Sequence, residues 1–350
     1  MTEEKLRQFY RNKRILITGT CGTVGYELAR QLLDKYPIKE LIAIDNNESE
    51  LFLLQQKYNS CRKARFFLAD IRDREKMNRL MRGVHILFHT AAFKHVLLCE
   101  QSPFEAVQTN ILGVQNIISA AIENNLEKVI FTSSDKAVNP TNVMGTSKLM
   151  AERLMTAANN NLRSKKPIFA STRFGNVLGS RGSVIPIFRQ QIRAGGPVTL
   201  THPEMTRFIM SVQEAVHLVV VSAFLACGGE VFITKMPVIR IKDLAEIMVQ
   251  ELDLKPGNYK RKIKIKIIGP RPGEKMFEEL MNMEETRRAW ELEQYFVVLP
   301  AFQGIQKIRY RYPGLVSKKV TKPYQSHREV CLSPGDLAIF LRENGLLEEE

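Results

Sequence analysis

Over the first 180 residues, short apolar runs alternate with stretches of helical period. Arg14-Ile15-Leu16-Ile17-Thr18 reads as a buried strand, and Val24, Leu28 and Leu32, four apart, mark one face of the helix that follows. Leu41-Ile42-Ala43-Ile44, Ala64 to Leu68, His85 to Phe88 and Lys128-Val129-Ile130-Phe131 supply four more strands. A long helix is expected from Ser102, where Ser102-Pro103-Phe104-Glu105 combines an N-cap, a proline at the first helical position and a capping-box glutamate. Another begins near Met144. Strand and helix in alternation predict an α/β fold, a doubly wound parallel (Rossmann) sheet. After about residue 180 the pattern loosens and glycines and prolines punctuate it, as in Gly195-Gly196-Pro197 and Gly269-Pro270-Arg271-Pro272-Gly273. The expected division is a dinucleotide-binding domain over 1–180 and a smaller C-terminal, mainly substrate-binding part over 181–350, with some segments returning to the first domain.

Composition narrows the class. The chain has 350 residues, 44% hydrophobic and 25% charged, enough to bury a sizeable core. No run approaches the ~18 apolar residues of a membrane helix, and Met1 to Arg14 has no apolar signal region, so a cytoplasmic protein with no membrane segment is expected. Cysteines at 21, 61, 99, 227 and 331 form no C-x-x-C pair, which argues against a disulfide framework or a metal site. The net charge of +14 is spread along the chain. Its densest run, Lys260 to Ile267, alternates Lys with Ile as a strand with one wet face does, and no aromatics interleave with it, so nucleic acid is not the expected partner. The tail Glu348-Glu349-Glu350 reads as frayed.

Chemistry enters at the first strand's end. Thr18-Gly19-Thr20-Cys21-Gly22-Thr23-Val24-Gly25 places glycines where a chain must turn tightly and let a pyrophosphate approach its backbone, with a helix N-terminus beyond. The alternative for such a glycine trio is a plain tight turn; strand before and helix after favour dinucleotide binding, by Gly19, Thr20, Gly22, Thr23, Val24 and Gly25. Asp45 ends the second strand, where an acid bonds ribose hydroxyls and repels a 2′-phosphate, favouring NAD over NADP. Asp70 and Ile71, after the third strand, are placed to border the adenine.

Thr132-Ser133-Ser134-Asp135-Lys136 follows the fifth strand, at the sheet's ligand-binding end. Met144 and Lys148, four apart, share a helix face. Short-chain dehydrogenases carry a tyrosine and a lysine at this spacing; here the tyrosine position is Met144, and a thioether transfers no proton. Packing alone would explain Met144, and a solvated ion pair would explain Asp135-Lys136. Against that, an adjacent acid and amine at a strand end can divide proton chemistry between them.

The segment Ser134-Asp135-Lys136-Ala137-Val138-Asn139-Pro140-Thr141-Asn142-Val143-Met144-Gly145 resembles the signature of the nucleotide-sugar 4,6-dehydratases of bacterial polysaccharide biosynthesis. His89 to Val96, Arg173 to Ser180, Gly195 to Thr199, Met205-Thr206-Arg207 and Arg271-Pro272-Gly273-Glu274-Lys275 extend the likeness from about residue 13 to the C-terminus. One branch of that family carries Met for the usual Tyr and includes large membrane-anchored members. The resemblance implies UDP-N-acetylglucosamine as substrate, UDP-4-keto-6-deoxy-N-acetylglucosamine as product, and an internal hydride transfer through NAD with retention at C5. By the same resemblance Lys136 is the base at C5, Asp135 the acid for the C6 hydroxyl, Ser134 a partner of the C4 oxygen, and Lys148 the ribose ligand. Lys148, acting through water or the ribose, is also the expected route for the C4 hydroxyl proton. Ala91 and Ala92 are implied at the cofactor, Lys94 at the sugar or cofactor edge, and Asn176, Arg207, Arg271 and Glu274 around the UDP portion, where an arginine fork suits a diphosphate. Homo-oligomers paired through the helices near Ser102 and Met144 are implied too.

Other readings stay open on the residues alone: a C5-inverting dehydratase, another UDP-hexosamine substrate, a UDP-sugar 4-epimerase, or a catalytically silent NAD-binding protein suggested by the missing tyrosine. A 4-epimerase needs neither a C5 base nor a C6 acid, which weighs Asp135-Lys136 toward dehydration.

Overall fold

The computed structural model describes residues 2–253, 263–270, 273–302 and 304–347. Its first half runs α1 (Glu3–Tyr10), β1 (Arg14–Thr18), α2 (Thr23–Lys35), β2 (Glu40–Asp45), α3 (Glu48–Lys57), β3 (Ala64–Leu68), α4 (Arg74–Leu80) and β4 (Ile86–His89). Then come α5 (Val96–Gln101), α6 (Pro103–Val107), a π-turn (Gln108–Leu112), α7 (Gly113–Glu123), β5 (Lys128–Ser134), α8 (Val143–Asn161) and β6 (Ile168–Phe174). The second half holds β7 (Asn176–Val177), α9 (Val184–Arg193), β8 (Val198–Leu200), β9 (Thr206–Met210), α10 (Val212–Leu225), β10 (Val231–Thr234), β11 (Val238–Arg240) and α11 (Ile241–Asp253). It ends with β12 (Ile265–Ile267), β13 (Glu279–Met281), α12 (Met283–Thr286), β14 (Ala289–Leu292), β15 (Tyr295–Val298), β16 (Leu315–Ser317), β17 (Tyr324–Gln325) and α13 (Pro334–Glu343).

The main sheet has the order β16-β14-β15-β10-β6-β5-β4-β1-β2-β3 among the described residues. Strands β1 to β6 and β10 are parallel, and β15, β14 and β16 add an antiparallel edge. The expected doubly wound sheet is therefore present. Its strand order reverses between β1 and β4, which opens a crevice at the carboxyl ends of those strands. Successive residues of β1 point to opposite faces. Ile15 and Ile17 pack with Leu28 and Leu32 of α2 and Val216 and Val220 of α10. Leu16 packs with Ile117 of α7 and Ala151 and Met155 of α8. Beyond residue 180 the chain builds a third core, with Phe188, Ile209, Leu244 and Leu337, under β7-β9-β11 and the β8-β12 pair. It also returns β10 and β14 to β16 to the main sheet.

Two local features add to the sequence reading. The charged N-terminus forms α1, because Leu6 and Tyr10, four apart, bury completely and the Tyr10 hydroxyl donates to the Val220 carbonyl at 2.7 Å. The long helix expected from Ser102 is present: α6, the π-turn and α7 run without a break from Pro103 to Glu123, with Ser102 at the N-cap and Pro103 at the first position. Only the capping box fails: the Ser102 N–H donates to Leu98 O at the end of α5, its side chain makes no cap hydrogen bond, and the π-turn is a bulge within the helix between α6 and α7. Of the alternating run, Lys260, Arg261 and Lys262 lie outside the described residues, as do Arg271 and Glu348 to Glu350. The strand that follows, β12, pairs in parallel with β8, Ile265 half-buried and Lys266 exposed.

Candidate active site

The glycine loop is built by exclusion. Gly19 has φ +70°, and a Cβ there would stand 2.6 Å from Ala91 Cα, because the ends of β1 and β4 pack backbone to backbone. A Cβ on Gly25 would stand 2.2 Å from Gly19 O. The loop thus presses against the first turn of α2, whose free N–H groups and dipole suit an anion. Asp45 secures the arrangement: its carboxylate accepts from Cys21 N at 2.9 Å and from Asn47 N at 3.0 Å.

A cavity of about 880 Å³ runs from this loop along the ends of β4 and β5. Gly19, Gly22, Thr23, Val24, Gly25, Ala92, Lys94, Ser134, Asp135, Lys136, Met144, Lys148 and Asn176 line it, so the fold gathers most of the residues singled out from sequence. Thr20 is not among them. It is wholly buried and its hydroxyl donates to Ile17 O, tying the loop to β1. Ala91 backs Gly19, its N–H donating to Thr18 Oγ1 at 3.3 Å. Asp45, Asp70 and Ile71 also stand outside the lining. Asp70 is taken up by Arg72, which holds its carboxyl below the usual range, and Ile71 is buried against Gly113. Lys94 donates to Arg181 O at 2.8 Å, and burial lowers its pKa.

A second cavity of about 620 Å³ adjoins the first. Lys136, Asn176, Arg207 and Glu274 are on its wall, with Thr199 and Thr201 from and just after β8 and the apolar Leu178 and Ile239. Lys136 and Asn176 border both cavities. Arg207 is nearly buried. It donates to the Thr206 and Lys275 carbonyls at 2.8 and 2.9 Å and lies 3.8 Å from Glu274.

The chemistry sits at the junction. Ser134 Oγ donates to Asp135 Oδ1 at 2.6 Å, and Lys136 Nζ donates to the same oxygen at 3.1 Å. Asp135 is 1% exposed, and its Oδ2 has no partner among the described residues. Burial lowers the pKa of Lys136, but Asp135 and Glu278 outweigh it and the net shift is upward. Lys148 Nζ donates to Thr132 O at 3.0 Å and sits over the Phe131 ring, 4.7 Å from its centre. Burial brings Lys148 down to about 8, against the Glu152 carboxylate one turn away. The neighbouring His89, wholly buried with Nδ1 2.7 Å from Thr18 Oγ1, falls to about 3, through burial first and Lys148 second. Met144 packs with Cys99 and Ala106 beside this group. Sequence reasoning missed Glu278, which stands just before β13 with Oε1 3.4 Å from Lys136 Nζ. Its one sequence signal is its place four residues after Glu274, which points to no partner.

A mainly parallel sheet with a glycine loop at its switch point, a Ser-Asp-Lys group at the end of β5 and a buried lysine on α8 defines the extended short-chain dehydrogenase class. Residues 15–300 match the family model described as polysaccharide biosynthesis protein, and the chain belongs to that family. An uncharacterised membrane protein of Methanocaldococcus jannaschii is 52% identical over 297 residues, 85% of this chain and 89% of that protein. UDP-N-acetylglucosamine 4,6-dehydratase (inverting) of Campylobacter jejuni is 37% identical over 300 residues, 85% of this chain and 86% of its own. UDP-glucose 4-epimerase of Rickettsia rickettsii is 34% identical over 342 residues, covering 97% and 98%. Among solved structures, Pen from Bacillus thuringiensis is 39% identical with a TM-score of 0.88, covering 96% of this chain and 98% of its own. The dTDP-glucose 4,6-dehydratase DesIV of Streptomyces venezuelae, solved with NAD, shares the fold at a TM-score of 0.66 and 21% identity, over 75% of this chain and 86% of its own. No helix among the described residues is long and apolar enough to cross a membrane.

Proposed function

We propose that the chain is an NAD-dependent nucleotide-sugar 4,6-dehydratase acting on UDP-N-acetylglucosamine with retention at C5. The observation that carries this reading is the Asp135–Lys136 pair, 3.1 Å apart where the two cavities meet. An acid and an amine side by side are what removal of water across C5 and C6 requires. The Campylobacter dehydratase supports the activity, although its name specifies inversion; retention rests on Met144 standing in the tyrosine position.

The residues present fit a dinucleotide: the loop leaves no room for a Cβ at Gly19 or Gly25, and the cavity beside it reaches Lys148. Bound NAD supplies a hydride acceptor for sugar C4 and a donor for C6. Gly19, Gly22, Gly25 and the start of α2 hold its pyrophosphate, Asp45 its adenosine ribose and Lys148 its nicotinamide ribose. Asp70, Ile71, Ala91 and Ala92 border it. Lys94, Asn176, Arg207, Arg271 and Glu274 serve the UDP-sugar.

The proton path follows the hydrogen bonds. Ser134 passes the C4 hydroxyl proton to Asp135 along their 2.6 Å bond, a more direct path than Lys148 and a water. Asp135 gives that proton to the C6 oxygen, which leaves as water. Lys136, as an amine, takes the C5 proton and returns it to C5 as hydride reaches C6. The proton lost at C4 departs in the water, so every side chain ends as it began.

The test is proton NMR of UDP-N-acetylglucosamine with the purified protein and NAD in heavy water. A new C6 methyl with deuterium at C5 is expected, its ring couplings giving the configuration. The Rickettsia relative's name favours a second reading, 4-epimerisation. UDP-N-acetylgalactosamine without a methyl signal would install it instead, and an unchanged spectrum would refute both.

A further inference from the structure

Lys136 has two carboxylates, and the second comes from the C-terminal part. Glu278 is 3% exposed on the wall of the second cavity, whereas Asp135 lies on the first. Lys136 Nζ stands 3.1 Å from Asp135 Oδ1 and 3.4 Å from Glu278 Oε1. Arg207 Nε lies 3.7 Å from the same Glu278 oxygen. The cluster is thus Asp135, Lys136, Glu278 and Arg207. Lys275 acts on Glu278 from farther off and donates to Val138 O, and Glu274 lies beyond Arg207. Glu278 Oε2 is buried without a hydrogen-bond partner among the described residues, as is Asp135 Oδ2. Leaving a buried carboxylate oxygen unsatisfied costs free energy, which a proton or a ligand hydroxyl would recover.

The position of Glu278 is fixed independently of Lys136. Its N–H donates to Ser326 Oγ at 3.0 Å, and the Ser326 N–H donates back to Glu278 O at 2.9 Å. Ser326 Oγ lies 2.8 Å from Thr206 Oγ1 on β9, next to Arg207. The backbone therefore delivers the carboxylate to Lys136, instead of Lys136 collecting a mobile acid.

We propose that Glu278 is a positioning residue that clamps the Lys136 ammonium against Asp135 and takes its spare proton while Lys136 serves as an amine. The transfer is balanced: the Lys136 N–H bond breaks, an O–H bond forms on Glu278, and the reverse follows when the amine needs its proton again. As Asp135 becomes protonated it stops holding the ammonium, and Glu278 is the remaining base within reach. Burial raises the Glu278 pKa, which suits it to hold a proton, while Lys136 draws it back.

The clamp is tested without turnover, on the full chain, by competitive acetylation of Lys136 with acetic anhydride from about pH 6 to about pH 11. Mass spectrometry of the Lys136 peptide reads the result. Removing the negative charge in Glu278→Gln should move the labelling midpoint down by about one unit, near tenfold more labelling at fixed pH on the rising limb. A profile that superimposes on the wild type overturns the clamp. Glu278→Asp keeps the charge; it should give a smaller shift in the same direction, and it carries the test if Glu278→Gln does not fold. The proton role rests on the proposed dehydratase reading and has its own arm. Glu278→Gln should lose about tenfold or more in kcat near neutral pH with KM unchanged, and regain activity as alkali removes the proton. A loss equal at every pH overturns this role. A wild type without turnover sinks the dehydratase reading, while the labelling profile still decides the clamp.

Discussion

Arg173 on β6 and Glu285 on α12 face each other in a two-pronged, fully buried pair: NH1 donates to Oε2 and NH2 to Oε1, both at 3.0 Å. The other edge of the guanidinium is held by Glu152 of α8, and NH1 also donates to Leu280 O. One arginine therefore joins the parallel sheet, α8 and the segment running from β13 into α12. Arg173→Leu would leave two carboxylates buried without their cation. Breaking a buried pair from one side costs about 3–5 kcal/mol, so the melting temperature should fall by several degrees. A melt within about one degree of the wild type would show that the carboxylates find other partners.

Gly25→Ala tests the loop. The added methyl would meet Gly19 O at 2.2 Å and Gly19 C at 2.9 Å, both backbone atoms that no side-chain rotation can move aside, so the loop must open. NAD affinity by titration calorimetry should fall by tenfold or more, about 1.4 kcal/mol. Unchanged affinity would place the dinucleotide elsewhere.

Strand positions, the sheet and the loop were legible because apolar runs and glycine spacing answer to local rules. The runs at 14–18, 41–44 and 64–68 are β1 to β3 within a residue or so. The helix start at Ser102 was legible, but its capping box was not, because the Ser102 N–H is taken by Leu98 O one turn earlier. Tyr10 was illegible because its reason to be helical is a carbonyl 210 residues away. The Asp135–Lys136 pair was legible because its members are adjacent; Glu278 was not, since 142 residues and the whole third core separate it from Lys136.

Lys148 makes stability depend on pH. Its pKa is about 8 in the fold against 10.5 for a free lysine. Between those values the unfolded chain binds more protons than the folded one, so stability rises with pH through that window and the strain of a buried ammonium is present below it. Urea melts from about pH 7 to about pH 10.5 should show a gain on the order of 3 kcal/mol that Lys148→Met lacks. Parallel curves for the two proteins would mean that Lys148 keeps its charge throughout.

Asp45 should separate the cofactors. Its carboxylate accepts two backbone N–H groups, which hold it in place where a 2′-phosphate would sit. NAD should bind at least about tenfold tighter than NADP, and Asp45→Asn, which keeps the size and drops the charge, should narrow the ratio. Equal affinities in the wild type would remove Asp45 from the ribose site.

The catalytic assignment predicts a pattern as well as a loss. Asp135→Asn keeps an oxygen for Ser134 and Lys136 but has no proton to give the C6 oxygen; Lys136→Met keeps the length and removes the base. Each should lower product formation by about 10²- to 10⁴-fold, the usual range for one proton-transfer group, with NAD affinity preserved because neither residue belongs to the glycine loop. The two should also part at C5. Asp135→Asn, with its base intact, should still exchange the C5 proton of a bound 4-keto sugar for deuterium, whereas Lys136→Met should exchange nothing. Exchange in Lys136→Met at the wild-type rate would move the base to another group. Full product formation in either variant would leave the Asp135–Lys136 pair as an ion pair without a chemical role.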